Sequence, residues 1–358
     1  MKKLLALIMA LAMAMSLAAC GGSTGTETSD AETPAAETAA AETPAAETEA
    51  AETEAAETPA ADGQTYTIGI CQLMQHDALD AATQGFKDAL TELLGDAVTF
   101  DEQNAQGDST TCSTIVTGFV ANGYDLIMAN ATPALQAAIA ATSDIPILGT
   151  SVTDYATALA DDDMDATVGT GINVSGSSDG VDAQLYADLV MELVPEAKKV
   201  SILYCSAEAN SVVQADNFIA CMEDYGVECE VFTFSDSNDM QSVCTSAIQD
   251  CDAMYIPTDN TAAANMTIVA NVCEPAGIPV IGGEEGMTSN GALATVSISY
   301  YDIGYLCGQQ AYDILVNGAD ISTMPIAYST NPVKEYNPEF AEAIGFEMPD
   351  GFEPISAD

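Results

Sequence analysis

The chain has 358 residues, 48% of them hydrophobic, which is length and apolar content enough for two ordinary α/β domains. Fifty-five Asp and Glu against six Lys plus Arg give a formal net charge of -49. That balance excludes a nucleic-acid-binding face, since phosphate contacts need basic residues, and equally excludes docking on anionic lipid through a polybasic patch.

In chain order, Lys2 and Lys3 precede an apolar run, residues 4–17, that is too short for a convincing membrane span. The run ends in Leu17-Ala18-Ala19-Cys20-Gly21, which resembles the lipobox of bacterial lipoproteins. Residues 1–20 are therefore expected to be a lipoprotein signal peptide, with Cys20 as the lipidated residue and new N-terminus. Residues 21–64 repeat AETPA and AETEA and carry almost no large apolar side chain, so they cannot bury enough surface to offset chain entropy. Glu repulsion together with Pro34, Pro44 and Pro59 predicts an extended acidic linker.

Residues 66–73 form a β-branched apolar run with the look of a strand buried on both faces. Leu79, Ala82, Phe86, Ala89 and Leu90 then fall at helical spacing, with Asp80, Lys87 and Asp88 on the opposite face. The same unit recurs: strands are predicted at 98–102, 124–129 and 146–150, with helices at 108–122 and from Thr132 to about 143. Residues 166–174 read as a crossover. A second set follows, with strands at 200–205, 228–234, 253–257, 279–282 and 293–298 alternating with helices near 179–193, up to 225, 240–249 and 261–274. A last helix is predicted at 303–315, before a short extended piece at 326–328. Strands alternating with helices at this spacing imply α/β architecture in two parallel-sheet domains.

In open α/β sheets ligands bind outside the carboxyl ends of strands, so the corners carry the candidates. The first corner offers Gln72, Met74 and His76, the only histidine, placed to donate to a ligand or to a hinge. Asn130 and Thr132 stand at the third strand's end. Thr132 before Pro133 reads either as a helix N-cap or as part of an anion site at a helix N-terminus. Ser151 and Tyr155 follow the fourth strand; Glu208 and Asn210 occupy the equivalent corner of the second set. Asp259 with Asn260 opens another helix, where Asp259 reads either as a cap or as the anion pairing with a ligand ammonium, with Glu284 as its rival. Leu73, Met74, Tyr155 and Tyr300 are candidates for contact with an aromatic side chain, Leu73 reading better as core. No nucleophile elbow, HExxH or P-loop is present, so the chain does not read as an enzyme, and no cofactor or metal site is expected. Asp161, Asp162 and Asp163 read as solvated surface. With Cys20 assigned to lipid, nine cysteines remain; mostly free thiols are expected, Cys221 with Cys229 being the pair to test.

The segments IGICQLMQHDALDAATQGFKDAL, NAQGD, YDLIMANATPALQAA, SAEANS, YIPTDNT and YYDIGYLCGQQAYDIL, in that order, resemble the ABC-transporter solute-binding lipoproteins over residues 66–352. The chain departs from that pattern in its many cysteines and in GGEEG at residues 282–286. The resemblance implies a type I periplasmic-binding-protein fold, a Venus-flytrap of two doubly wound parallel-sheet lobes joined by three crossover strands. These would lie near residues 169–174, 295–300 and 323–328, giving an N-terminal lobe of 65–171 plus 297–325 and a C-terminal lobe of 172–296 plus 326–358. It further implies an extracytoplasmic, membrane-anchored, monomeric receptor that hands a small solute to ABC permease and ATPase subunits. Some members bind aromatic amino acids, which makes an L-amino acid the expected solute. A nucleoside or sugar in the same fold, and a sensor rather than a transport receptor, are the alternatives.

Overall fold

The run Tyr66–Gln72 is strand β1, buried along nearly its whole length, and Asp77–Leu94 is helix α1, whose inward face includes Leu79, Ala82, Phe86 and Leu90. A computed structural model describes residues 63–161, 163–329 and 331–355. The expected signal peptide, Cys20 and all but the last two residues of the expected linker lie outside the described residues, as does Asp162.

The first set continues through β2 (Val98–Asn104), α2 (Ser109–Asn122), β3 (Leu126–Asn130), α3 (Thr132–Ala141), β4 (Ile147–Thr150), α4 (Tyr155–Leu159) and β5 (Val174–Ser178). The second comprises α5 (Ala183–Leu193), β6 (Lys199–Cys205), α6 (Ala209–Tyr225), β7 (Glu228–Phe234), α7 (Ser237–Ala247), β8 (Ala253–Ile256), α8 (Asn260–Ala263), α9 (Met266–Cys273), β9 (Val280–Gly282), α10 (Glu285–Gly291) and β10 (Ala294–Ser297). The chain then returns with α11 (Tyr300–Leu315) and β11 (Ala327–Tyr328), and ends in β12 (Val333–Tyr336), α12 (Pro338–Ile344) and β13 (Glu353–Pro354).

Two sheets result. The first runs β11-β5-β4-β3-β1-β2, all parallel. The second runs β13-β12-β10-β9-β8-β6-β7 and is parallel except for β12 against β10. Both therefore carry the doubly wound order with the switch point beside the first strand, between β1 and β3 and between β6 and β8, where a crevice opens. The strands end level: Gln72 lies opposite Asn130, and Asn130 opposite Thr150, so three corners stand side by side.

The boundaries between lobes differ from those read in the sequence. Ser-Gly-rich β5 pairs with β4, so the first lobe's sheet runs on to Ser178 and the chain crosses after it rather than at 169–174. A polar strand can be fully buried there because its hydroxyls are used: Ser177 Oγ donates to Ile303 O at 2.8 Å and Ser175 Oγ to Met324 O at 2.9 Å. The second crossing is short, between Ser297 of β10 and Tyr300 of α11, and the third lies between Tyr328 of β11 and Val333 of β12. The helix expected at 261–274 is broken into α8 and α9 at Asn265. Helices α4, α10 and α12 and the antiparallel β12 were not read from the sequence.

Helix α11 belongs to the first lobe and packs tightly on α1. A Cβ on Gly304 would run into the carbonyl of Ala82, and one on Gly85 into that of Tyr301, so the two backbones touch where only glycine fits. All nine described cysteines are free thiols, Cys221 and Cys229 included, while the sulfurs of Cys244 and Cys273 lie 4.0 Å apart between α7 and α9.

Candidate ligand cleft

The loops at the carboxyl ends of the two sheets face one another across a cleft. From the first lobe come His76, Leu79, Ser151 and Thr153; from the second, Asn210, Thr258, Asp259, Asn260, Ala263, Glu284 and Met287; Asp179 and Tyr300 stand at the crossings. Seven of the thirteen expected ligand contacts are thus brought together: His76, Ser151, Asn210, Asp259, Asn260, Glu284 and Tyr300.

Six are not. Gln72 is buried beneath the first corner, donating to Met74 O and Asp80 and accepting from Thr83. Met74 packs on the core of the first lobe. Tyr155 is 2% exposed and its hydroxyl donates to Gly149 O at 2.9 Å, so it is a core tyrosine, not a platform for a ligand ring. Glu208 spends both oxygens on the α8 terminus, accepting from Asn260 N–H and Nδ2 and from Thr261 N–H and Oγ1 at 2.7–2.9 Å. Asn130 donates to Leu79 O and Thr83. Thr132 is not an N-cap: Ala131 holds that position at φ 87°, leaving Thr132 as the first helical residue with a buried, unpartnered hydroxyl.

The two carboxylates expected to meet an ammonium are caps. Asp259 accepts from Cys205 N–H, Ser211 Oγ and Ala262 N–H, each at 2.8 Å. Glu284 accepts from Gly286 N–H and Met287 N–H at 2.5 and 2.6 Å. Burial, the larger cause, pushes each carboxyl up to about 8, helped by Glu208 beside Asp259 and by Asp77 and Glu285 near Glu284. Their oxygens are engaged within their own lobe.

Asp179 is different, and the sequence reading missed it. It follows β5 directly, is 4% exposed, and accepts from Tyr300 Oη at 2.7 Å through Oδ2. Its Oδ1 has no partner. Burial raises its pKa against the opposing pull of the Tyr300 hydrogen bond and of the nearby Thr153 side chain. The signal available was position: an acid at the end of a strand, hidden because residues 175–178 do not read as a strand and Asp179 reads as the start of the next helix. Among the described residues, eight buried side-chain polar atoms lack a partner, and four of them line this cleft: His76 Nδ1, Ser151 Oγ, Asp179 Oδ1 and Asn210 Oδ1. Buried polar groups are normally satisfied, so this concentration marks where a polar solute completes the bonding. Ser151 (φ 53°) and Ala131 (φ 87°) hold left-handed backbones at neighbouring corners joined by Ala131 N–H to Thr150 O at 3.0 Å, strain of the kind that collects at ligand sites. None of the described lysines lines the cleft.

The lobes meet through two side-chain bonds from the start of α1: His76 Nε2 with Asn260 Oδ1 at 3.1 Å, and Asn290 Nδ2 to Asp77 Oδ2 at 2.7 Å.

Two lobes wound alike, joined by three crossings, with the polar cleft between them, define a type I periplasmic binding protein. The chain belongs to the ABC transporter substrate binding protein family, whose profile matches residues 67–352. Proteins of this family are extracytoplasmic solute-binding proteins, not enzymes. A tyrosine-binding protein of Clostridioides difficile (strain R20291) is 38% identical over 262 residues, 72% of this chain and 75% of that protein. Among solved structures, an ABC domain from Streptococcus pneumonia in complex with L-Trp is 31% identical with a TM-score of 0.75, covering 80% of this chain and all of that one. The ligand-free, open structure of a substrate binding protein with adhesive properties from Clostridium difficile is 36% identical yet superposes with a TM-score of only 0.63, over 82% of this chain and all of that one. The chain thus superposes better on the L-Trp complex than on the ligand-free, open structure, despite lower identity.

Proposed function

We propose that this chain is the receptor of an ABC importer for an aromatic L-amino acid, tyrosine or tryptophan, which it hands to a permease, and that lipid on Cys20 tethers it to the membrane. The observation that carries the reading is the free Oδ1 of Asp179 in a cleft whose other acids are already engaged. It is the anionic acceptor for the α-ammonium, where a charge-assisted bond is strong. Ser151 Oγ, buried, unpartnered and lining the cleft, supplies a donor for the carboxylate without a cation. Leu79, Met287 and Ala263 give the apolar wall an aromatic ring needs. The similarity to a tyrosine-binding protein and to a tryptophan complex favours the aromatic class.

Ligand captured by one lobe draws in the other, and closure presents the permease with a shape the open form lacks. The test is calorimetry and thermal shift against the natural amino acids, after unfolding and refolding to strip any solute carried through purification. A ligand at a hundred times its Kd adds about 2.7 kcal/mol of stability. Binding confined to aromatic amino acids, and weakened by about tenfold or more in Asp179→Asn, is the expected result. Aromatic binding undiminished in that variant would remove Asp179 from the ammonium site. Absence of a response to any amino acid would remove the solute class.

A further inference from the structure

We propose that His76 reads a neutral hydrogen-bond donor on the ligand's side chain, so that the cleft prefers a phenol or an indole to the bare ring of phenylalanine. The proposal deepens the amino-acid reading above and rests on it.

Glu208 fixes the orientation of Asn260, the partner of His76. A carboxylate only accepts, and Glu208 Oε2 takes both the backbone N–H of Asn260 and its Nδ2, at 2.9 and 2.7 Å. The Asn260 amide is thereby oriented: its nitrogen faces Glu208 and its oxygen faces His76. An amide oxygen cannot donate, so the 3.1 Å contact requires the proton on His76 Nε2. A neutral imidazole has one such proton, which leaves Nδ1 as a bare lone pair. Burial lowers the pKa of His76 despite Asn260 and the charges of Glu208, Asp80 and Asp77, which keeps the ring neutral.

That lone pair is buried and has no partner. Although His76 is the N-cap of α1, its side chain makes no capping bond, so Nδ1 is not spent on its own helix. His76 lines the cleft. A donor must therefore come from the solute. The ammonium is the weaker candidate for it, because Asp179 Oδ1 offers a charged acceptor and Asn210 Oδ1, whose Nδ2 is fixed on Thr258 O at 2.8 Å, offers another. Nδ1 also sits at the start of an 18-residue helix, where the dipole disfavours a cation but tolerates a neutral O–H or N–H. A site built around such an acceptor rejects an analogue that lacks the donor, since the acceptor is then sealed away unpaired.

The experiment measures tyrosine, tryptophan and phenylalanine by calorimetry on the wild-type chain and on His76→Gln. Gln keeps a nitrogen donor for Asn260, and its one acceptor, Oε1, hangs from the same terminal carbon as that nitrogen rather than standing at the ring position of Nδ1. The wild type is expected to bind tyrosine or tryptophan at least about tenfold more tightly than phenylalanine, and the variant to bring the difference within about threefold by weakening the former. Because the chain has one histidine, ¹⁵N-histidine NMR reads its ring without assignment. The expected spectrum has Nε2 protonated and Nδ1 bare, with Nδ1 moving on addition of tyrosine but not of phenylalanine. Equal affinity for all three in the wild type, equal weakening of all three in the variant, or a protonated Nδ1 would each overturn the proposal while leaving the amino-acid reading intact. Failure of every amino acid to bind would overturn both.

Discussion

At the scale of single residues, the cleft separates acids that hold the protein together from the one acid free to meet a solute. Asp259, Glu208 and Glu284 all terminate helices of the second lobe, and their geometry makes removal a matter of stability. Glu284 gives this a pH signature. Its carboxyl is raised from 4.5 to about 8 by burial first, with Asp77 and Glu285 adding to it. A raised acid favours the folded state most when protonated in both states; that advantage declines as pH climbs from the unfolded value through about 8. Melting of Glu284→Gln beside wild type should therefore show the gap moving in the variant's favour between pH 5 and pH 9, by on the order of 2–4 kcal/mol. A gap moving the other way would mean that the Gly286 and Met287 donors prevail and Glu284 is a charged cap. At this scale the sequence offered caps and ligands as equal alternatives for Thr132 and Asp259, because Ser, Thr and Asp before a helix look alike in both roles. Only the hydrogen-bond partners separate them. Asp179 stayed invisible, since nothing in SGSSDG announces that the acid is buried with one oxygen free.

At the scale of elements, the strands buried on both faces were legible because their apolar runs are continuous: β1, β3, β6 and β8 fall within a residue or two of expectation. The polar β5 was not, since its burial depends on serine hydroxyls answering carbonyls from α11 and the segment before β11, partners more than a hundred residues away. Short α10 was hidden in GGEEG, where capping by Glu284 rather than any apolar period starts the helix. The pairing of α1 with α11 is the element-scale contact that ties the returning chain to the first lobe. Gly304→Val would force those backbones apart, and a loss of about 1–3 kcal/mol in denaturant unfolding is expected. Unchanged stability would mean that α11 can slide on α1 without cost.

At the scale of the whole molecule, two parallel-sheet domains followed from the βα alternation and the cleft between them from the family resemblance, whereas the placing of the crossings required knowing which sheet each strand joins. The lobes are joined by the exposed bond between Asn290 and Asp77, neither of which lines the cleft. Asn290→Ala should leave the rate of capture nearly unchanged and speed release by roughly two- to tenfold in stopped-flow measurements, as expected for losing one hydrogen bond made only on closure. An unchanged release rate would show that closure does not depend on that bond. The missing cations have a further consequence. With no described lysine at the cleft and a formal net charge of -49 over the whole chain, a solute that brings surplus negative charge, such as an acidic amino acid or a phosphorylated compound, is expected to meet repulsion on approach and no counter-charge on arrival. On the proposed function, the protein sorts its solutes by charge before any wall of the cleft has measured their shape, and a zwitterion passes because it is neutral from a distance.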